Sequence, residues 1–214
     1  LKEGIAALHS SPDAMKAFRF ANRAMAQQRV RSIYARKRRQ GETVALDEVD
    51  KSSNRTWHPY QLAFLLLSIP ALADPMHSDR TEPLAAHADL LWFPTGGGKT
   101  EAYLGLAAYT MAIRRLQGTI VNHSGLHGIA VIMRYTLRLL TLQQFQRAST
   151  LMCACEMIRR EACSAGDNRW GEDPFRIGLW VGQRTTPNTT EKSAEAVKQE
   201  HGFYTGGSTG AGIG

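Results

Sequence analysis

The residues with the most definite chemistry are Thr95, Gly96, Gly97, Gly98, Lys99 and Thr100, which follow one another without interruption. Three glycines let the backbone turn tightly, so that several N–H groups point inward at one anion. Lys99 brings an ammonium to the terminal phosphates of a nucleotide, and the Thr100 hydroxyl is an oxygen ligand for Mg²⁺. The run lies between an apolar segment, 89–93, and a helical pattern that starts at Lys99. A helix beginning there adds unpaired N–H groups and the positive end of its dipole. The reading is a phosphate loop for ATP and Mg²⁺, with Lys99 as its catalytic residue. The standard loop has a further glycine where this chain has Phe93. The bland alternative is a glycine-rich hairpin beside an incidental lysine; the strand–loop–helix setting argues against it.

Other groups have a functional and a structural reading side by side. Gln61, in His58-Pro59-Tyr60-Gln61, has a planar amide with donors and an acceptor, suited to the edge of an adenine. It can equally cap a helix opened by Pro59. After a second apolar run, Ile129–Met133, come Arg134, Thr136 and Arg138. A strand end and helix start expose N–H groups and a hydroxyl, and the arginines can meet DNA phosphates. They can also cap a helix and pack their stems. Arg184 and Thr185 follow a third apolar run, Phe175–Val181, and are read as further backbone contacts to DNA. Arg29, Arg31, Arg36, Lys37, Arg38 and Arg39 crowd the end of a long helical pattern. They are either a solvated face near the negative helix end or a phosphate-contacting patch.

The elements that must position these groups follow from periodicity and punctuation. Ser11-Pro12-Asp13 is a helix start, with a capping serine, proline in the first turn and an acid near the positive dipole end. Met15, Phe18, Ala21 and Met25 continue it towards Arg39. Residues 41–54 read as a linker or exposed loop. Pro59 opens a helix that buries Phe64, Leu65 and Ile69, and Pro70 is expected to end it. Residues 74–88 read as a surface connection. Helices are expected at Lys99–Leu116, Thr136–Ala162 and Lys192–Gln199. Strand, helix, strand, helix, strand with continuous apolar runs predicts an α/β fold, a RecA-like parallel sheet flanked by helices. The division expected is an N-terminal helical segment and linker, 1–56; a partial RecA-like lobe, 57–200; and a flexible glycine-rich tail, 201–214.

Bulk composition is consistent with this reading. The chain has 214 residues, 43% hydrophobic, room for one sizeable domain. A formal net charge of +7 favours an acidic partner, nucleic acid being the commonest. No apolar stretch is long enough to span a bilayer, and no signal peptide is visible, so the expected setting is reducing cytoplasm without membrane contact. Cys153, Cys155 and Cys163 cannot form a disulfide framework. Cys153 and Cys155 point apart on a helix, so small buried hydrophobes fit better than a zinc site. The start at Leu1 and the glycine-rich end read as a piece of something larger.

Thr95–Thr100 resembles the Thr-Gly-x-Gly-Lys-Thr form common in superfamily 2 helicases, with Glu101 next in line. Pro59-Tyr60-Gln61 resembles their adenine-reading element, and 134–143 their motif Ia, although Tyr135 replaces a proline and the later glutamine, Gln143, is displaced by one. Longer strings, 90–106, 133–148, 18–25 and 61–67, are similar to the DrmA family, the helicase-like component of DISARM anti-phage systems. That resemblance covers most of 15–190. It implies a large two-lobed ATP-dependent DNA helicase or translocase, partnered by a DrmB-like protein in bacterial defence. No acidic motif for Mg²⁺ and water follows the third apolar run; Gly171-Glu172-Asp173 precedes it. The segment alone is therefore expected not to hydrolyse ATP. Two alternatives stay open: an ATPase switch in a protein complex without translocation, and a DNA-binding module with a degenerate motor.

Overall fold

The structure is a computed structural model that describes residues 1–82, 88–90, 92, 96–120, 122–135, 138–180, 187 and 189–200. Its spine is a helix of 28 residues, α2 (Pro12–Arg39), preceded by α1 (Lys2–Ser10). Ser11 caps α2, its hydroxyl accepting the Ala14 N–H at 3.2 Å, and Pro12 occupies the first turn. After α3 (Leu46–Val49) come α4 (Pro59–Ala73), α5 (Ser78–Thr81), α6 (Lys99–Gln117), α7 (Arg138–Ser164) and α8 (Thr190–Glu200). A two-stranded antiparallel ladder, β1 (Thr119–Ile120) with β2 (His123–Ser124), closes the turn after α6. The chain divides into two compact units, Leu1–Arg176 and Ile177–Gly214; α8 belongs to the second.

Small residues set the packing of the first unit. The face of α2 that carries Ala14, Ala17, Ala21 and Ala24 is fully buried, as are Ala102, Ala108 and Ala112 of α6. Short side chains on both surfaces let the helix axes approach closely. Leu151, Ala154, Cys155 and Ile158 of α7 complete the same core, and Phe20 lies tilted against Trp170 and Phe175 at centroid distances of 4.5 and 5.6 Å. α4 packs on α1 and α6 and buries Leu65 and Ile69. Pro70 does not end α4, which runs three residues further. A proline inside a helix leaves the carbonyl four residues earlier without its N–H partner. That carbonyl belongs to Leu66, and Gly4 of α1 lies against it: a Cβ on Gly4 would stand 1.9 Å from the oxygen.

The expected α/β architecture is overturned. Among the described residues there is no parallel RecA-like sheet, and the molecule is helical apart from the β1–β2 pair. Described residues of the three apolar runs read as sheet strands, 89–90, 92, 129–133 and 175–180, carry no strand pairing. A strand persists where a neighbour takes up its N–H and C=O groups, and among the described residues none pairs with these segments. Several of their side chains face outward instead, with Leu90 88%, Trp92 84% and Ile132 81% exposed, while Phe175 is taken into the helical core. The helices need no sheet to cover them, because α6 is enclosed by α2, α4 and α7. Of the glycine-rich tail, 201–214 lie outside the described residues. Among the described residues no helix is long and apolar enough to cross a membrane.

Candidate functional site

The glycine loop enters α6 through left-handed backbone. Gly96 has φ +84° and Gly98 φ +83°, and Gly98 is the N-cap of the helix. Side chains avoid this region, which glycine occupies at little cost. Lys99 and Thr100 form the first turn, half-buried, on the wall of an open groove of about 1480 Å³. The loop's N–H groups, the helix start and an ammonium are therefore assembled within four residues. Thr95 lies outside the described residues.

Gln61 joins this loop to α4. Its Oε1 accepts the His58 N–H at 2.9 Å, so it caps the helix that Pro59 opens. Its Nε2 donates to the Gly98 carbonyl at 2.8 Å. It is 3% exposed, and each end of the amide retains capacity for one further hydrogen bond. The rings of His58 and Tyr60 are stacked at 5.6 Å, 5° from parallel, and with Trp57 form an aromatic wall of the groove. Trp57 is held by its indole N–H, which donates to Asn22 Oδ1 of α2 at 2.6 Å.

Arg147 of α7 closes the groove on another side and pairs with the Glu101 carboxylate in the first turn of α6. This pair ties the helix after the glycine loop to the helix that follows Arg134 and Thr136. Sequence reasoning did not single out Arg147. Its signal is the spacing from Gln144, three positions earlier on α7, which also lines the groove. Arg29 and Arg31 line the groove from α2.

Gln61, Gly96, Gly97, Gly98, Lys99 and Thr100 are thus brought together. Arg134 is exposed and is not among the residues lining the groove. Thr136, Arg184, Thr185 and the side chain of Arg138 lie outside the described residues. The acids Glu172 and Asp173 sit elsewhere. Arg115 donates to the carbonyls of Trp170 at 2.5 Å and Asp173 at 2.6 Å, and its guanidinium lies 3.8 Å from the centre of the Phe175 ring. Arg159 donates to the carbonyls of Gly171 and Glu172 at 3.2 and 2.9 Å. These clamps hold the acidic loop beside the C-terminal end of α6, 16 residues or about 24 Å of helix from Lys99. Cys155 is buried in the core, which pushes its thiol up to about 12, while Cys153 is exposed. Among the described residues no group of acids, histidines and cysteines is arranged to hold a metal.

No protein-family model matches the chain. It is 39% identical over 183 residues to the DISARM protein DrmA of Bacillus paralicheniformis. The match takes in 85% of this chain and 15% of that relative's length.

Proposed function

We propose that the protein carrying this sequence serves in anti-phage defence as an ATP-dependent helicase or translocase acting on DNA, and that the groove at the glycine loop is its nucleotide site. The similarity to a DISARM DrmA protein supports the defence role. The observation that carries the nucleotide reading is Gly98, left-handed and capping α6, followed at once by Lys99 and Thr100 on an open groove.

The residues fit an ATP–Mg²⁺ ligand. Backbone N–H groups at 96–100 donate to phosphate oxygens, and Lys99 neutralises the terminal phosphates. Bound Mg²⁺ would be held in part by the Thr100 hydroxyl, and it supplies charge neutralisation of the transferred phosphoryl group. The stacked His58 and Tyr60 rings give a planar base an apolar face, and Gln61 keeps one donor and one acceptor position in reserve. Arg147 balances the Glu101 carboxylate, which would otherwise repel the phosphates. A DrmB-like protein is the proposed partner, and cytoplasm the proposed setting.

The test is binding of a non-hydrolysable ATP analogue with Mg²⁺ to the full-length protein, with and without Lys99→Ala, alongside ATP hydrolysis with and without single-stranded DNA. A nucleotide site predicts at least a tenfold loss of analogue affinity in the variant. A motor predicts hydrolysis stimulated by DNA. Unstimulated hydrolysis would leave an ATPase switch, and analogue binding untouched by Lys99→Ala would remove the nucleotide site from this loop.

A further inference from the structure

We propose that Arg29 and Arg31 of α2 form a second anion-binding wall of the groove and take the phosphodiester backbone of single-stranded DNA, leaving the glycine loop to the nucleotide. The inference rests on the reading of this groove as a phosphate-binding site, but concerns a different wall and ligand.

Six cations line the groove: Arg23, Arg29, Arg31, Arg55, Lys99 and Arg147. Three are neutralised in place. Arg23 pairs with Glu161, Arg55 with Asp50 at 2.9 Å, and Arg147 with Glu101. The groove's two acids, Asp50 and Glu101, are thereby used. Arg29, Arg31 and Lys99 have neither an ion pair nor a hydrogen bond among the described residues. The unbalanced charge therefore sits at two places, the glycine loop and α2.

The basic character of α2 extends beyond the groove. Arg36, seven residues on, shares the helix face of Arg29, and Arg38 shares that of Arg31; both, with Arg39, are exposed and likewise unpaired among the described residues. Lys37, partly buried, is held by Glu42 at 2.7 Å. Asp47 and Glu48, exposed on α3, have no cation partner among the described residues, and Asp47 accepts the Glu48 N–H at 3.0 Å. From Arg29 to Arg39 the helix rises about 15 Å, further than a triphosphate extends. Exposed guanidiniums extending beyond a groove suit a polymer of phosphates, and strand-binding proteins use basic grooves that follow the backbone beside aromatic rings. At about 1480 Å³ the groove is also larger than a single nucleotide needs, since small-molecule pockets run to roughly 1000 Å³.

The experiment measures binding of a fluorescein-labelled thymidine oligonucleotide to the full-length protein across a salt series, with the ATP analogue titrated in parallel. Arg29→Gln with Arg31→Gln should weaken oligonucleotide binding and reduce the salt slope by about 1.4, two contacts at roughly 0.7 each for a single strand. Analogue affinity should stay unchanged. Arg29→Lys with Arg31→Lys should restore the slope, which a merely misfolded variant would not permit. An unaltered slope in the glutamine variant overturns the proposal. So does a loss of analogue affinity with oligonucleotide binding intact, which would give both arginines to the nucleotide. If Lys99→Ala fails to affect the analogue while the arginine variant lowers the slope, the ATP reading falls and this one stands.

Discussion

Gln61 Nε2 donates to the carbonyl of Gly98 across 2.8 Å, so a buried amide on the first turn of α4 fixes the last residue of the glycine loop. The same amide accepts the His58 N–H, which makes one side chain serve a helix cap and a loop at once. Gln61→Leu keeps the volume and removes both bonds, leaving the His58 N–H and the Gly98 carbonyl unsatisfied in partly buried positions. The expected cost is about 1–3 kcal/mol for such groups. Chemical denaturation of wild type and variant measures it; a change below about 0.5 kcal/mol, ordinary for surface substitutions, would show that the tie is idle.

Gly96 and Gly98 share a left-handed backbone but differ in surroundings. A Cβ on Gly98 would meet Gln61 Nε2 at 2.6 Å and the Tyr60 hydroxyl at 3.1 Å, whereas one on Gly96 meets nothing within 4 Å. Gly96→Ala therefore bears the backbone cost alone, about 1–2 kcal/mol. Gly98→Ala bears that cost and must also displace Gln61. The larger loss of stability is expected at Gly98, together with a loss of ATP-analogue affinity of at least tenfold. Equal effects of the two substitutions in both assays would contradict the geometry.

The helices were legible where local rules sufficed. Ser11 and Pro12 mark the start of α2, and the glycines before Lys99 mark the start of α6, because capping is settled within a few residues. The sheet was misread for a matching reason. Runs such as 89–93 and 129–133 have strand composition, but pairing is a long-range property, and short apolar runs do not reveal whether a neighbour exists. Gly4 and Pro70 show the same limit. Each looks like a breaker alone, yet together they let α1 rest on the Leu66 carbonyl. In the candidate site the glycine loop and Gln61 could be named from the chain alone. Arg147, 46 residues from Glu101, could not, and neither could Arg115, outside the site and 55 from Trp170, since nothing local distinguishes them from other arginines.

The Arg147–Glu101 pair is the link between the glycine-loop helix and α7. Glu101 Oε2 lies 3.6 Å from the position of a Cβ on Gly98, close to where phosphate oxygens would sit. Arg147→Ala exposes the phosphates to an unbalanced carboxylate, and analogue affinity is expected to fall about tenfold, one partly screened charge interaction of roughly 1.4 kcal/mol. Glu101→Gln with Arg147→Ala removes the offending charge and should recover most of the loss. A double-mutant cycle in analogue binding reads the coupling directly. Additive losses would mean that the pair does not act on the site.

Glu156 predicts how the fold responds to acid. Hydrogen bonds from Arg159, at 2.6 and 2.8 Å, hold its carboxyl down to about 2 from an ordinary 4.5, opposed by burial and aided by Arg160 and the Phe175 N–H. A carboxyl with a depressed folded-state pKa binds its proton more readily in the unfolded chain. Its contribution to stability is therefore complete above about pH 4.5, declines as pH falls below that, and is gone once the folded carboxyl titrates near pH 2. The Phe175 N–H bond and the Arg159 contacts to 171–172 mean that protonation releases the loop carrying Glu172 and Asp173 as well. Glu156→Gln should cost roughly 1.5–3 kcal/mol at pH 7, as loss of charged hydrogen bonds does. It should cost progressively less between pH 4.5 and 2, so that denaturation curves of wild type and variant converge at the acid end. A constant difference across that interval would show that Glu156 is not held in its ionised form by these partners.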